Sequence, residues 1–173
     1  MRPEVFWKTV TLDGSNFLES LISILDEHGI AYCVIGGQAV NAYVEPLVSL
    51  DLDLVIATDQ LADAEALLGT HFQLERFPYS LNLTLPGSGL RVQIQTDPRY
   101  SPFVSRAERR EILGIPLPVA QLADILQGKV WAAQDPERRP SKRRKDLLDI
   151  ERILEAYPEL GAHVPPDILD RLN

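Results

Sequence analysis

Two glycines, Gly36 and Gly37, end an apolar run, and shortly afterwards two aspartates, Asp51 and Asp53, alternate with aliphatic residues. No other stretch constrains the chain as strongly. Tyr32-Cys33-Val34-Ile35 reads as the end of a buried strand over 30–35, the glycines as its turn, and 38–43 as a short helix stopped by Pro46. Across Leu50-Asp51-Leu52-Asp53-Leu54-Val55-Ile56 the period is two, so both carboxylates project from one strand face and Leu52 and Leu54 from the other. Adjacent carboxylates repel unless a cation lies between them. The strand is therefore an exposed edge or half of a metal site, and the preceding glycine turn favours the metal site.

A chain of 173 residues with 45 % hydrophobic content has enough apolar surface for one domain with a core. It contains no apolar run of spanning length and no basic-then-apolar leader, so neither a membrane association nor export is expected. The lone Cys33 lies in an apolar run and reads as a buried core residue of a cytoplasmic protein. A net charge of −8 argues against a general nucleic-acid coat, which would be basic. Local recognition stays open, because basic residues crowd between Arg138 and Lys145.

Residues 1–14 read as an irregular lead-in. Ser15 or Asn16 is placed to cap a helix carrying Phe17, Leu18, Leu21, Ile22, Ile24 and Leu25, with Gly29 as its stop. Thr58 or Asp59 would cap a helix over 61–68. Alternating runs at 81–85 and 90–96 flank Pro86-Gly87-Ser88-Gly89 and predict a hairpin; a second is expected at Gly114. From Val119 the period becomes helical, giving helices over 119–134 and 141–156 around a polar loop. The expected class is α+β: a mixed sheet with flanking helices in a core over 1–118, and a helical part over 119–173 packed on it as one compact unit.

Some charges fall where apolar residues belong. On the first C-terminal helix Lys129 lies inside the stripe formed by Val119, Leu122, Ile125, Leu126, Val130 and Ala133. It either snorkels out along its stem or aims an ammonium at an internal anion such as a phosphate. On the second helix Arg143 and Asp146 fall within the apolar face, and Lys145 and Asp149 on its border. Lys145 and Asp149 alone make an ordinary surface pair. Basic residues at a helix N-terminus oppose its dipole, however, so the patch is either solvated or met by something negative.

Together these residues resemble the polymerase-beta-type nucleotidyltransferase superfamily, and most of all its small branch related to the AbiEii toxins of type IV toxin–antitoxin systems. That pattern is a strand, a Gly-Gly or Gly-Ser turn, a short helix and an Asp-x-Asp strand; Gly36, Gly37, Asp51 and Asp53 match it. The branch adds a helical lysine, matched by Lys129, and a motif Ser-x-Arg-x-x-Lys-Asp-x-x-Asp. Ser141, Arg143, Lys145, Asp146 and Asp149 resemble this motif with one residue fewer before the lysine.

The resemblance implies a nucleotidyltransferase fold and transfer of a nucleoside monophosphate from a triphosphate to an acceptor hydroxyl on tRNA, protein or a small molecule. It implies Mg²⁺ on Asp51 and Asp53, one ion on the phosphates and a second activating the acceptor hydroxyl, with the triphosphate held at Gly36 and Gly37 and by Arg143, Lys145 and Asp146. Lys129 would neutralise phosphate charge, and a cognate antitoxin protein is the implied partner. Two departures stand out. The strand that supplies a third carboxylate in active members reads Leu90-Arg91-Val92-Gln93-Ile94-Gln95-Thr96-Asp97, with amides at Gln93 and Gln95 on the expected face. Asp97 keeps the same parity at the strand's end and is the candidate substitute. Leu47 stands where relatives often carry arginine. The alternative reading is a nucleotide- or RNA-binding module whose chemistry is lost.

Overall fold

The computed structural model describes residues 16–172. The expected lead-in and the Ser15 cap lie outside the described residues. In chain order the elements are α1 (Phe17–Glu27), β1 (Tyr32–Ile35), α2 (Gly36–Asn41), β2 (Asp51–Ile56), α3 (Leu61–Gly69), β3 (Gln73–Phe77), β4 (Ser80–Thr84) and β5 (Arg91–Gln95). Then follow β6 (Glu108–Ile112), β7 (Ile115–Val119), α4 (Leu122–Gln134), α5 (Pro140–Ala156) and α6 (Pro166–Leu169). The strands form one mixed sheet in the order β3-β4-β5-β2-β1-β7-β6. The β2–β5 and β1–β7 pairs are parallel, and the remaining pairs are antiparallel.

Register gives this sheet two different faces. Leu52 of β2 pairs with Val92 of β5, which pairs with Leu83 of β4; Leu54, Ile94 and Leu81 repeat the row. All six are buried and join the core with Phe17, Leu18, Leu21 and Leu25 of α1. Each such side chain contributes about 1.5–3 kcal/mol on burial, so this face fixes the register. The opposite face is polar by the same alternation. Asp53, Gln93, Asn82 and Glu75 form one row across β2, β5, β4 and β3, and Asp51 and Arg91 pair in the next.

The mixed sheet and helical C-terminal part agree with the α+β expectation, and the β4–β5 hairpin has its predicted partners. Three details differ. β3 was not foreseen, because its residues are almost all exposed and carry no alternation. Its pairing with β4 supplies the order that its own pattern lacks. Thr58 to Gln60 form a 3₁₀ turn leading into α3 in place of a simple cap.

The third difference concerns Val119, which belongs to a strand rather than to the following helix. It pairs in parallel with Val34, and the Ala120 N–H donates to the Val34 carbonyl at 3.0 Å. This pairing overrides the helical period, and α4 begins at Leu122. Pro116 and Pro118 lack donors, which fits the narrow β7–β1 contact. The turn at Leu113 and Gly114 has φ of 52° and 82°, the left-handed pair a tight hairpin requires.

Candidate active site

The Gly36 turn and the Asp-x-Asp strand meet at the carboxylate of Asp53. Gly36 has φ +72°, and a Cβ there would run into Oδ2 of Asp53. Gly37 has an ordinary φ and nothing within 4 Å of where its Cβ would be. The first glycine thus makes room for the carboxylate, and the second leaves the backbone at the start of α2 open. Side chains of α2 brace the connection to β2. Buried Gln38 donates to the Ser49 carbonyl at 3.0 Å. Asn41 holds Leu47 at both its N–H and its carbonyl, at 3.0 and 2.7 Å. The Leu47 side chain is exposed.

Asp51 and Asp53 share one strand face, as the alternation requires. Burial raises the pKa of Asp53, Lys129 works against this, and Asp51 adds to it. Asp51 is engaged by Arg91, its register partner on β5, with Nε 2.7 Å from Oδ1. Gln93 lies opposite Asp53. Among the described residues no group of three or more acidic, histidine or cysteine side chains is placed to hold a metal.

Behind Asp53 lies a buried ion cluster. Lys129 of α4 reaches Asp149 at 2.8 Å and Asp146 at 3.3 Å on α5. Arg138 pairs with Asp146 through Nε at 2.5 Å, and Arg152 with Asp149 at 2.8 Å. Burial alone would push the Lys129 ammonium down, but Asp149 and Asp146 outweigh it and hold its pKa above the ordinary value. Three cations meet two carboxylates here, leaving positive charge directed at Asp53. Lys129 therefore does not snorkel: its ammonium is held between two buried carboxylates, with 12 % of its side chain exposed. Arg152 also donates to Asn41 Oδ1 at 3.1 Å and to the Glu45 carbonyl at 2.7 Å, tying α5 to the loop before β2.

The polar sheet face and the start of α5 enclose a cleft of about 660 Å³. Asp51 and Asp53 lie on one side, and Arg139, Ser141, Lys142 and Lys145 line the other. Asn82, in the floor, has a buried Oδ1 without a hydrogen-bond partner. Arg143 lines neither this cleft nor the smaller cavity beside Gly36, Asp53 and Lys129. Helical rotation puts Lys142 and Lys145 on the cleft side, one turn apart, and turns Arg143 away from it.

Asp97 is placed apart. Its Oδ1 accepts from the Arg99 N–H at 3.0 Å, capping a 3₁₀ segment, and its Oδ2 accepts from Arg99 Nε at 3.0 Å. Burial works to raise its pKa, and the hydrogen bonds from Arg99 outweigh this and hold it below the ordinary value. It lines neither cavity. Its N–H donates to Gln95 Oε1 at 3.0 Å, which occupies that amide locally.

Sequence reasoning named Asp51, Asp53, Gly36, Gly37, Lys129, Lys145 and Asp146 at this place; the structure distributes all but Gly37, which lines neither, between the cleft and the smaller cavity that share Asp53. It singled out the basic run from Arg138 to Lys145 without naming Arg138, Arg139 or Lys142 individually, and it missed Arg91, Arg152, Gln38 and Asn82. Arg91 had a readable signal, because it shares parity with Gln93 on the strand that pairs with Asp-x-Asp. Arg152 had one as well, its i,i+3 spacing to Asp149 within α5, whereas its contacts to Asn41 and Glu45 and the pairing of Arg138 with Asp146 had none.

The fold is shared with solved structures. ANT(2'')-Ia, in a crystal structure with adenylyl-2''-tobramycin, aligns at TM-score 0.56 and 16 % identity, over 91 % of this chain and 98 % of its own. The lincosamide adenylyltransferase LnuA, lincomycin-bound, gives 0.52 and 11 %, over 80 % and 97 %. JHP933 from Helicobacter pylori gives 0.50 and 20 %, over 89 % and 70 %. At such identities the likeness is one of fold. No curated protein matches the chain by sequence. The profile of the nucleotidyl transferase AbiEii toxin, type IV toxin–antitoxin system, matches residues 35–171, from the Gly-Gly turn to the end of the helical part. The chain belongs to the AbiEii nucleotidyl transferase toxin family.

Proposed function

We propose that the chain is an Mg²⁺-dependent nucleotidyltransferase that moves a nucleoside monophosphate from a nucleoside triphosphate to an acceptor hydroxyl. One observation carries this reading: the Asp51–Asp53 face and a basic wall of Arg139, Lys142 and Lys145 line one cleft, beside a glycine turn with open backbone. The two carboxylates offer hard oxygens from one rigid strand, which suits a divalent cation. When bound, that cation polarises the phosphoryl oxygens and lowers the pKa of the acceptor hydroxyl.

The chain's own residues supply the rest. Backbone N–H groups of the Gly36-Gly37 turn face the phosphates, and Gly37 leaves them room. Arg139, Lys142 and Lys145 oppose the triphosphate charge. Lys129 acts from behind, through the carboxylates it holds and by its charge toward Asp53. In the transfer, the acceptor oxygen attacks the α-phosphorus and the bond to the β-phosphate oxygen breaks. Pyrophosphate leaves, and the hydroxyl proton departs through the carboxylate pair. The acceptor is tRNA, a protein or a small molecule; an antitoxin is the partner and the cytoplasm the site of action.

The second reading is a nucleotide- or RNA-binding module without turnover, favoured by Gln93 opposite Asp53. Labelled nucleoside triphosphates offered with bulk RNA, protein and small alcohols separate the two. Transfer that disappears in Asp51→Ala supports the enzyme. Triphosphate binding without transfer selects the module, and absence of any binding removes both.

A further inference from the structure

We propose that this site holds one divalent cation rather than two, and that the Arg91 guanidinium supplies the second positive charge. The inference rests on the nucleotidyltransferase reading and specifies how its site is charged. β2 and β5 are parallel neighbours in register, with Asp53 beside Gln93 and Asp51 beside Arg91. Gln93 offers a neutral carbonyl oxygen where a carboxylate would share a second ion with the aspartates. Two residues along the same strand face, about 7 Å away, Arg91 adds an exposed cation paired with Asp51.

These two residues act in the same direction. Gln93 withholds one negative charge, and Arg91 neutralises another, its Nε lying 2.7 Å from Asp51 Oδ1. Lys129 and Arg138 already direct positive charge at Asp53. A first dication finds two carboxylates. A second would find no carboxylate of its own among the described residues and would approach a guanidinium. Arg91 meanwhile lines the large cleft beside the aspartates, and arginine donors match phosphate oxygens bidentately. The exposed guanidinium can thus reach the phosphates where a second ion would otherwise stand.

The test counts ions directly. Mn²⁺ is titrated into the full chain with a non-hydrolysable triphosphate analogue and followed by electron paramagnetic resonance, with calorimetry for the nucleotide. The expected result is one Mn²⁺ per chain without spin coupling. In Gln93→Asp the count should rise to two. In Arg91→Ala the count should stay at one, with Mn²⁺ bound about three- to fivefold tighter without nucleotide and the triphosphate held more weakly by a similar factor. Two Mn²⁺ bound by the unaltered chain would overturn the inference and leave the nucleotidyltransferase reading intact. An unchanged triphosphate affinity in Arg91→Ala would overturn the role of Arg91. Absence of both Mn²⁺ and nucleotide binding would overturn the underlying reading as well.

Discussion

Gly36 and Asp53 occupy one space: the left-handed backbone of the glycine, at φ +72°, leaves the volume that the aspartate carboxylate fills. A side chain at position 36 would displace the carboxylate as well as strain the turn. The glycine is therefore required by a protein contact before any ligand arrives. Gly37 has no such neighbour, so the two glycines should respond differently to the same substitution. Gly36→Ala should cost about 2–4 kcal/mol in urea unfolding from strain and overpacking. Gly37→Ala should leave unfolding within about 1 kcal/mol of the original and weaken triphosphate binding measured by calorimetry.

The Lys129 cluster makes a second prediction. Lys129→Met removes a largely covered cation that two buried carboxylates share, while Arg138 and Arg152 stay in place. The loss should be about 3 kcal/mol of stability, near the lower end for a broken buried pair because each aspartate keeps a partner. Chemical denaturation of the variant against the original chain measures it.

Lys142 and Arg143 are adjacent in sequence and differ in what they face. Lys142 lines the cleft with Asp51 and Asp53, and Arg143 does not. Lys142→Ala should weaken triphosphate binding about tenfold, the loss of one charge-assisted contact of about 1.4 kcal/mol. Arg143→Ala should change that affinity less than about twofold. Equal losses in calorimetry would show that both reach the nucleotide.

Asp97 gives a pH-dependent prediction. Its pKa is lower in the fold than in the unfolded chain, because the hydrogen bonds from Arg99 favour the charged form despite burial. The folded state therefore binds fewer protons, and the stabilisation is present above the ordinary carboxylate value. It is lost as pH falls through the lowered one. Asp97→Asn should cost about 0.5–2 kcal/mol at neutral pH, as for a lost cap, and almost nothing once the pH is below both values. Mn²⁺ binding should be unchanged in this variant. A loss of bound ion would mean that Asp97 reaches the metal after all.

Much of the central architecture was legible, for local reasons. Period-two alternation at Asp51 and Asp53 specifies their shared face wherever the strand pairs, and a proline-glycine turn specifies the β4–β5 hairpin. Val119 shows the limit of this. Its helical spacing is real, yet the parallel pairing with Val34 decides its state. Strand β3 was illegible for the converse reason: an exposed edge segment buries little and carries no alternation to read.

By itself the sequence determined which residue types could make a cation and phosphate site, and that Gly36, Gly37, Asp51 and Asp53 would be near neighbours. Those four are joined through the short helix α2 and the loop before β2, and the antiparallel pairing of neighbouring strands, Ile35 with Asp53, closes the distance. Tertiary structure alone decided that Lys129 is held between Asp146 and Asp149, that Lys142 rather than Arg143 faces the cleft, and that Arg91 sits against Asp51. Each of these depends on how one element rotates or registers against another. That is set by burying the apolar face of the whole sheet and the helices around it, and no single segment contains that information.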